Sequence, residues 1–310
     1  MAGKLAGCAR RPAILLCVAA AALPVRVSAA TGRHACAPTD LGARIEDVAR
    51  EAHGPVGAAV MLVESGETVS SSGDRRFPMQ SVYKLPIAMA VLHRVDRGTL
   101  SLGQTVGIRP EDLAAAQQHS PIRDAHPGGA ELTVRELLRY MVSESDGTAC
   151  DVLLDLVGGP RRVTQRLRDI GITGIVVATS EKEMGREPRA QFRNWATPLS
   201  ALALLKSLHE GRGLAPASRS LLLELMARAS TGPRRIKGLL PANTPVAHKT
   251  GSSSTIDGRT VATNDVGLVT LPDGRHLAVA VFVSDSTADE ATRDGVIARI
   301  ARAAWDCFSN

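Results

Sequence analysis

Ser81-Val82-Tyr83-Lys84-Leu85-Pro86-Ile87 opens a stretch whose apolar residues recur at helical spacing as far as Arg97. Residues three apart on a helix lie on one face a turn apart, so the Ser81 hydroxyl and the Lys84 amine point the same way. A hydroxyl at a helix start also sits among unpaired backbone N–H groups and the positive end of the dipole. A buried lysine that shares its proton can activate such a hydroxyl as a nucleophile. Taken alone, the pattern reads better as a capping serine followed by a solvated lysine.

The chain on either side of this stretch divides by periodicity. Towards the N-terminus, helical spacing over Asp40 to His53 is followed by the apolar run Val56 to Glu64, a turn at Ser65-Gly66-Glu67 and a second strand, Thr68 to Ser71. Beyond Arg97, helices are predicted over Thr133 to Val142, Thr148 to Val157, Pro160 to Ile170, Pro198 to Glu210 and Ser218 to Ala229. Arg109 to Glu131 and Ser180 to Asn194 read as long irregular stretches, and loops of that length in a compact domain are usually functional or disordered. Strand patterns return over Thr244 to Thr250, Val261 to Leu271 and His276 to Ser284, the last two joined by Pro272-Asp273-Gly274, before a closing amphipathic helix, Asp289 to Cys307. The expected fold class is therefore α/β plus all-α: an antiparallel sheet built from both ends of the chain, flanked by helices and carrying a helical insertion.

Residues 1–29 read as a secretory signal: Lys4, Arg10 and Arg11, then the apolar run Ala13 to Leu23, then Val27-Ser28-Ala29 before the expected cleavage. The apolar run is too short to span a bilayer, and no later stretch matches the roughly 20 residues a spanning helix requires. The formal charge of +6 includes four bases and no acids from this leader, so the mature chain carries only +2, and no basic tract dense enough for nucleic acid remains. A soluble periplasmic or secreted protein is expected. Cleavage leaves Cys36, Cys150 and Cys307. Packing of an N-terminal helix on a C-terminal one would allow a Cys36–Cys307 disulfide, with two unpaired thiols as the alternative, and Cys150 reads as a buried apolar residue. No Cys-x-x-Cys or His-x-x-x-His spacing suggests a metal.

Two further motifs change the weight of the first. Ser145-Asp146-Gly147 begins a helical stretch, and Lys249-Thr250-Gly251 ends an apolar strand. With Ser81-x-x-Lys84, these three in this order resemble the class A serine β-lactamases of the penicillin-recognising serine enzymes. The resemblance covers nearly all of the mature chain. It is nearest to the divergent extended-spectrum, PER-like branch, through Gln80, Gln191-Phe192-Arg193-Asn194-Trp195 and Lys237-Gly238-Leu239-Leu240-Pro241.

The resemblance implies a two-domain architecture, with 38–73 and 228–310 forming the α/β part, 74–227 the all-α part, and Ser81 in the crevice. It implies Ser81 as nucleophile, Lys84 as its proton partner and Ser145 as proton donor to the departing lactam nitrogen. Lys249, Thr250, Gly251 and Ser252 would line the substrate site, with the N–H groups of Ser81 and Ser252 as oxyanion hole. Glu181-Lys182-Glu183-Met184-Gly185 resembles the family's Glu-x-Glu-Leu-Asn segment, which makes Glu181 the base for deacylation; Glu183 and Glu187 are the competitors. Arg235 is the expected guanidinium for the substrate carboxylate, with Arg259 as its competitor, and His119 stands where the family places an aromatic at the cleft mouth. No cofactor is implied, and a monomer is expected.

Two residues depart from the pattern. Gly147 replaces an asparagine that contacts the substrate's side-chain carbonyl, and Gly185 replaces one that shares the deacylating water. These departures bear on efficiency more than on reaction type. The remaining alternatives are a D-Ala-D-Ala peptidase, a penicillin-binding sensor that acylates without turnover, and a serine-dependent glutaminase, which the leader disfavours.

Overall fold

The computed structural model describes residues 38–309, together with Met1 and Gly3; the expected leader and Cys36 lie outside the described residues. In chain order the elements are α1 (Pro38–Arg50), β1 (Val56–Leu62), β2 (Thr68–Ser71), β3 (Phe77–Pro78), a 3₁₀ turn (Gln80–Tyr83), α2 (Lys84–Asp96), β4 (Thr105–Ile108), α3 (Pro121–Ala125) and β5 (Ala130–Thr133). The helical middle continues with α4 (Val134–Ser143), α5 (Gly147–Leu156) and α6 (Pro160–Asp169). Then come β6 (Ile175–Val176), α7 (Glu181–Arg186), β7 (Trp195–Ala196), α8 (Pro198–His209) and α9 (Pro216–Ala227). The chain closes with β8 (Val246–Ser252), β9 (Thr255–Ile256), β10 (Arg259–Thr270), β11 (His276–Ser286) and α10 (Glu290–Phe308).

The main sheet runs β2-β1-β11-β10-β8, all neighbours antiparallel, so strands from the two ends of the chain pair at its centre. Period-two alternation decides what each face buries. On β11, Leu277, Val279, Val281 and Val283 join Ile297, Ile300 and Trp305 of α10 and Leu41 and Ile45 of α1 in one core. Ala278, Ala280 and Phe282 face the other way, into a second core that takes in Leu202 and Leu205 of α8 and continues through the helical middle.

Three sequence expectations are corrected. The helix expected from Ser81 begins as a 3₁₀ turn and becomes α-helical only at Lys84. Pro86 accounts for this, because in a continuous helix from Ser81 its ring would oppose the Val82 carbonyl, whereas a start at Lys84 leaves it in the tolerated first turn. The stretch Ser180 to Asn194 is not irregular: Ser180 accepts from the Glu183 N–H at 3.2 Å and Glu183 reaches back to the Ser180 N–H at 3.0 Å, a capping box that starts α7. The stretch Arg109 to Glu131 holds a 3₁₀ turn at Pro110–Asp112, then α3, capped by Ser120, and the start of β5. Two small sheets, β3-β7-β6 and β4-β5, went unforeseen, their strands being four residues or fewer.

Candidate active site

Ser81 lies between Gln80, in left-handed backbone at φ 46°, and the first turn of α2. Lys84 Nζ sits 3.1 Å from Ser81 Oγ, donates to the Ser145 carbonyl at 2.7 Å and lies 2.8 Å from Glu181 Oε1. Lys249 Nζ donates to Ser145 Oγ at 2.9 Å and to the Thr250 carbonyl at 3.1 Å. Ser145 thus meets one lysine through its carbonyl and another through its hydroxyl. It does so in left-handed backbone at φ 62°, a conformation costly for a residue with a Cβ and frequent at functional sites.

Burial gives these charges their weight. Lys84, Lys249 and Glu181 are 1%, 0% and 6% exposed, so their interactions escape most solvent screening. Burial is the largest single influence on Lys84 and opposes its ammonium, but the surrounding groups together, the Glu181 carboxylate foremost, hold the pKa above the ordinary lysine value. Lys249 has no such partner: burial, reinforced by the charge of Lys84, brings it down to about 7. One lysine is therefore held as a cation while its neighbour is poised to give up its proton near neutrality.

Backbone packing draws β8 against Ser81. A Cβ on Gly251 would lie 2.3 Å from the Met79 carbonyl oxygen and 3.1 Å from Ser81 N, so only glycine permits this approach. Buried Asn264 on β10 donates from Nδ2 to the carbonyls of Pro78 and Met79 at 2.8 and 3.1 Å, fixing the segment that leads into Ser81. Arg235 is buried behind β8. It is held by Asp294 at 2.8 Å and donates to the Asn264 carbonyl at 2.9 Å and to Ser252 Oγ at 2.8 Å. Its competitor Arg259 is exposed and spends its guanidinium on the Asp285 carbonyl at 2.8 Å.

Glu181 reaches the cluster because its segment is gripped from behind. Asp151 on α5 accepts the N–H groups of Glu181 and Lys182, each at 2.8 Å. Burial, the main cause, lifts the Asp151 carboxyl to about 7 against the pull of those two N–H groups. Asn194 closes the other end of the segment, its Oδ1 accepting from Ala178 and Thr179 at 2.8 and 3.0 Å while its carbonyl takes the Met79 N–H at 2.9 Å. Of the competing carboxylates, Glu183 is occupied in the capping box and Glu187 pairs with Arg193 at 2.7 Å.

The two glycines that depart from the family pattern meet the same stretch of chain. A Cβ on Gly147 would lie 3.1 Å from the His119 carbonyl and 3.3 Å from Ala114 Cβ, and one on Gly185 would lie 3.3 Å from Gln117 Nε2. Residues 114–119 occupy the room that side chains there would need. Gln117 donates to the Gly185 carbonyl at 2.6 Å and Gln118 to the Glu181 carbonyl at 2.9 Å. His119 itself is exposed, its ring nitrogen Nε2 2.9 Å from the Glu144 carbonyl.

Asp146, the middle residue of its motif, is wholly buried; it caps α5 through the Ala149 N–H at 2.7 Å and holds Ser120 and the Ile122 N–H. Sequence reading missed Asn264, Asp151, Gln118 and Thr231, whose hydroxyl meets that of Thr250 at 2.5 Å. No local pattern marks these residues, because each acts on backbone or hydroxyls remote in sequence. Cys150 is a free, buried thiol beside Tyr83 Oη, its pKa driven up by burial, while Cys307 is disulfide-bonded.

A serine hydroxyl beside a buried lysine and carboxylate, with a second buried lysine close by, on this sheet-and-helix framework, has the make-up of a serine acyl-transfer site. The profile of the beta-lactamase enzyme family matches residues 40–308, and the chain belongs to that family. It is 39% identical to beta-lactamase VEB-1 of Pseudomonas aeruginosa, over 88% of this chain and 92% of that protein. It is 41% identical to the extended-spectrum beta-lactamase PER-1 of the same organism, over 84% of this chain and 85% of the other. Among solved structures, a beta-lactamase from Chitinophaga pinensis DSM 2588 superposes with a TM-score of 0.84 at 48% identity, covering 86% of this chain and 98% of that one. TLA-3 extended-spectrum beta-lactamase superposes with a TM-score of 0.86 at 37% identity, covering 88% and 100%. The protein is a class A serine β-lactamase that hydrolyses the β-lactam amide; the peptidase and sensor alternatives are not favoured.

Proposed function

We propose that this enzyme opens penicillins and cephalosporins through an acyl-enzyme on Ser81 and releases the product with a water activated by Glu181. The observation that carries the reading is the unbroken chain Ser81 Oγ, Lys84 Nζ, Glu181 Oε1, with steps of 3.1 and 2.8 Å. In the resting ion pair Lys84 passes a proton to Glu181. Its freed amine then takes the Ser81 proton as Oγ attacks the lactam carbonyl. The N–H groups of Ser81 and Ser252 bind the developing oxyanion. Ser145 protonates the departing nitrogen, and Lys249 stands beside it to replace that proton. Lys249, Thr250, Gly251 and Ser252 take the substrate carboxylate, with Arg235 acting through the Ser252 hydroxyl, and His119 borders the entrance. Once the Glu181 proton has passed back through Lys84 and Ser145 to the Lys249 amine that gave one up, the Glu181 carboxylate draws a proton from water as the water attacks the ester, and Lys84 returns a proton to the departing Ser81 oxygen.

The same reading divides the chain functionally into 38–73 with 228–310 and 74–227, with Ser81 in the crevice. It also makes the protein an exported monomer, cleaved after residue 29, whose Cys307 pairs with Cys36. Export accords with the disulfide at Cys307 and with the absence, among the described residues, of any helix long and apolar enough to cross a membrane.

Turnover of a chromogenic cephalosporin by the mature protein and by Glu181→Ala, with intact mass recorded after exposure to penicillin, tests the central claim. Rapid turnover by the parent and a persistent penicilloyl adduct on the variant, with deacylation slowed by about 10² to 10⁴-fold, are expected. A variant that deacylates at the parent's rate assigns the base elsewhere.

A further inference from the structure

A second cluster of chemically capable side chains lies outside the catalytic cluster. Glu64 follows β1, His209 ends α8 and His276 begins β11; one ligand atom from each falls within 4.8 Å of the others. The two imidazole rings are tilted by 51° to one another, with centroids 4.3 Å apart. Glu64 Oε1 is 2.8 Å from His276 Nδ1 and 4.0 Å from His209 Nε2. The His276 backbone N–H donates to both carboxylate oxygens, at 3.1 and 3.0 Å, and so orients the group.

We propose that Glu64, His209 and His276 bind a divalent transition-metal ion, Zn²⁺ above all, as a clasp joining β1, α8 and β11. Two imidazoles and one carboxylate are a borderline donor set that suits zinc and leaves a fourth position for water. With metal–ligand bonds of about 2.1 Å, tetrahedral ligands stand about 3.4 Å apart. The 2.8 Å contact therefore opens and the 4.0 Å one closes, each by about half an ångström, which partly exposed side chains can supply. The ion takes the place of the direct Glu64–His276 side-chain contact.

The surrounding charges leave room for a cation. Of the nearby cations, Lys206 is paired with Glu210 at 2.7 Å and Arg219 is engaged by the His209 carbonyl at 2.8 Å. Both histidines also line a cavity of about 540 Å³ that gives the ion a route in.

Calorimetric titration of the mature enzyme with zinc chloride, with thermal unfolding in its presence and absence, tests the site. One equivalent bound and a Tm rise of about 5 °C at saturation are expected, lost in His209→Ala/His276→Ala and reduced in Glu64→Gln. Cephalosporin turnover stays unchanged in both variants, because neither touches the catalytic cluster. Should the double variant fold poorly, Cu²⁺ electron paramagnetic resonance on the parent and on His209→Ala gives an independent reading, with nitrogen couplings falling from two imidazoles to one. Zinc binding of equal strength in the double variant, or identical copper spectra, overturns the proposal.

Discussion

On one side of Ser81, β8 is held by a regular ladder to β10, from Ser252 opposite Thr263 to Val246 opposite Val269, with Arg235 bracing its rear from Asp294. On the other side, the segment 178–194 is flanked by the paired strands β6 and β7, is joined to Met79 by the Asn194 carbonyl, and elsewhere hangs mainly on side chains, Asp151, Asn194, Gln117 and Gln118 among them. Repeated backbone hydrogen bonds share out the load, whereas a lone side chain gripping two N–H groups does not. Damage to the loop side should therefore appear first in deacylation, and damage to the sheet side in acylation and substrate capture.

The harshest test removes the group both sides serve. Ser81→Ala should cut turnover about 10³-fold or more and abolish labelling by a fluorescent penicillin; an unchanged label would break the assignment outright. Asp151→Asn probes the loop side alone. Its amide presents a donor to one of two N–H groups, so Glu181 should shift and deacylation slow about tenfold in single-turnover experiments while acylation changes little. The same variant carries a pH signature. With its folded pKa raised from 3.8 to about 7, Asp151 keeps its proton longer in the folded protein, so its contribution is present at low pH and lost as pH rises through 7. The stability difference between parent and variant should accordingly shrink from pH 4 to 7 in urea denaturation.

Lys249→Arg addresses the sheet side. Because the Lys249 cation is lost as pH rises through about 7, the parent's kcat/KM should fall on the alkaline side, and the guanidinium of the variant should move that limb upward by more than one unit. The smallest effect is expected from Gly147→Asn. Its Cβ would press on the His119 carbonyl, costing about 1 kcal/mol and about 2–4 °C in Tm by calorimetry. A gain in stability would mean that residues 114–119 yield easily and that the glycine does not hold them in place.

This contrast also explains what could be read in advance. The elements of the sheet side were legible because period-two and helical patterns follow from burial, and β10, β11 and α10 lie within two residues of their expected ends. Ser81, Lys84, Ser145 and Lys249 converge as their motifs imply, since each lies on a regular element or, for Ser145, in the short link between α4 and α5. Glu181 was legible only through resemblance, because its position depends on Asp151 across 30 residues of intervening sequence, and hydrogen bonds to remote backbone leave no periodicity. The 3₁₀ start at Gln80 turned on a single proline, and Gly147 and Gly185 carried no hint that one segment fills the space beside both.

The centre of the sheet also orders events during synthesis. β1 emerges among the first elements, yet its partner β11 is made only after the entire helical middle and β10. Until then one edge of β1 stays unpaired, and α1 lacks α10 to pack against. Such distant pairings make folding slow. A polypeptide whose central sheet waits on β11 keeps that edge of β1 open until the strand is made.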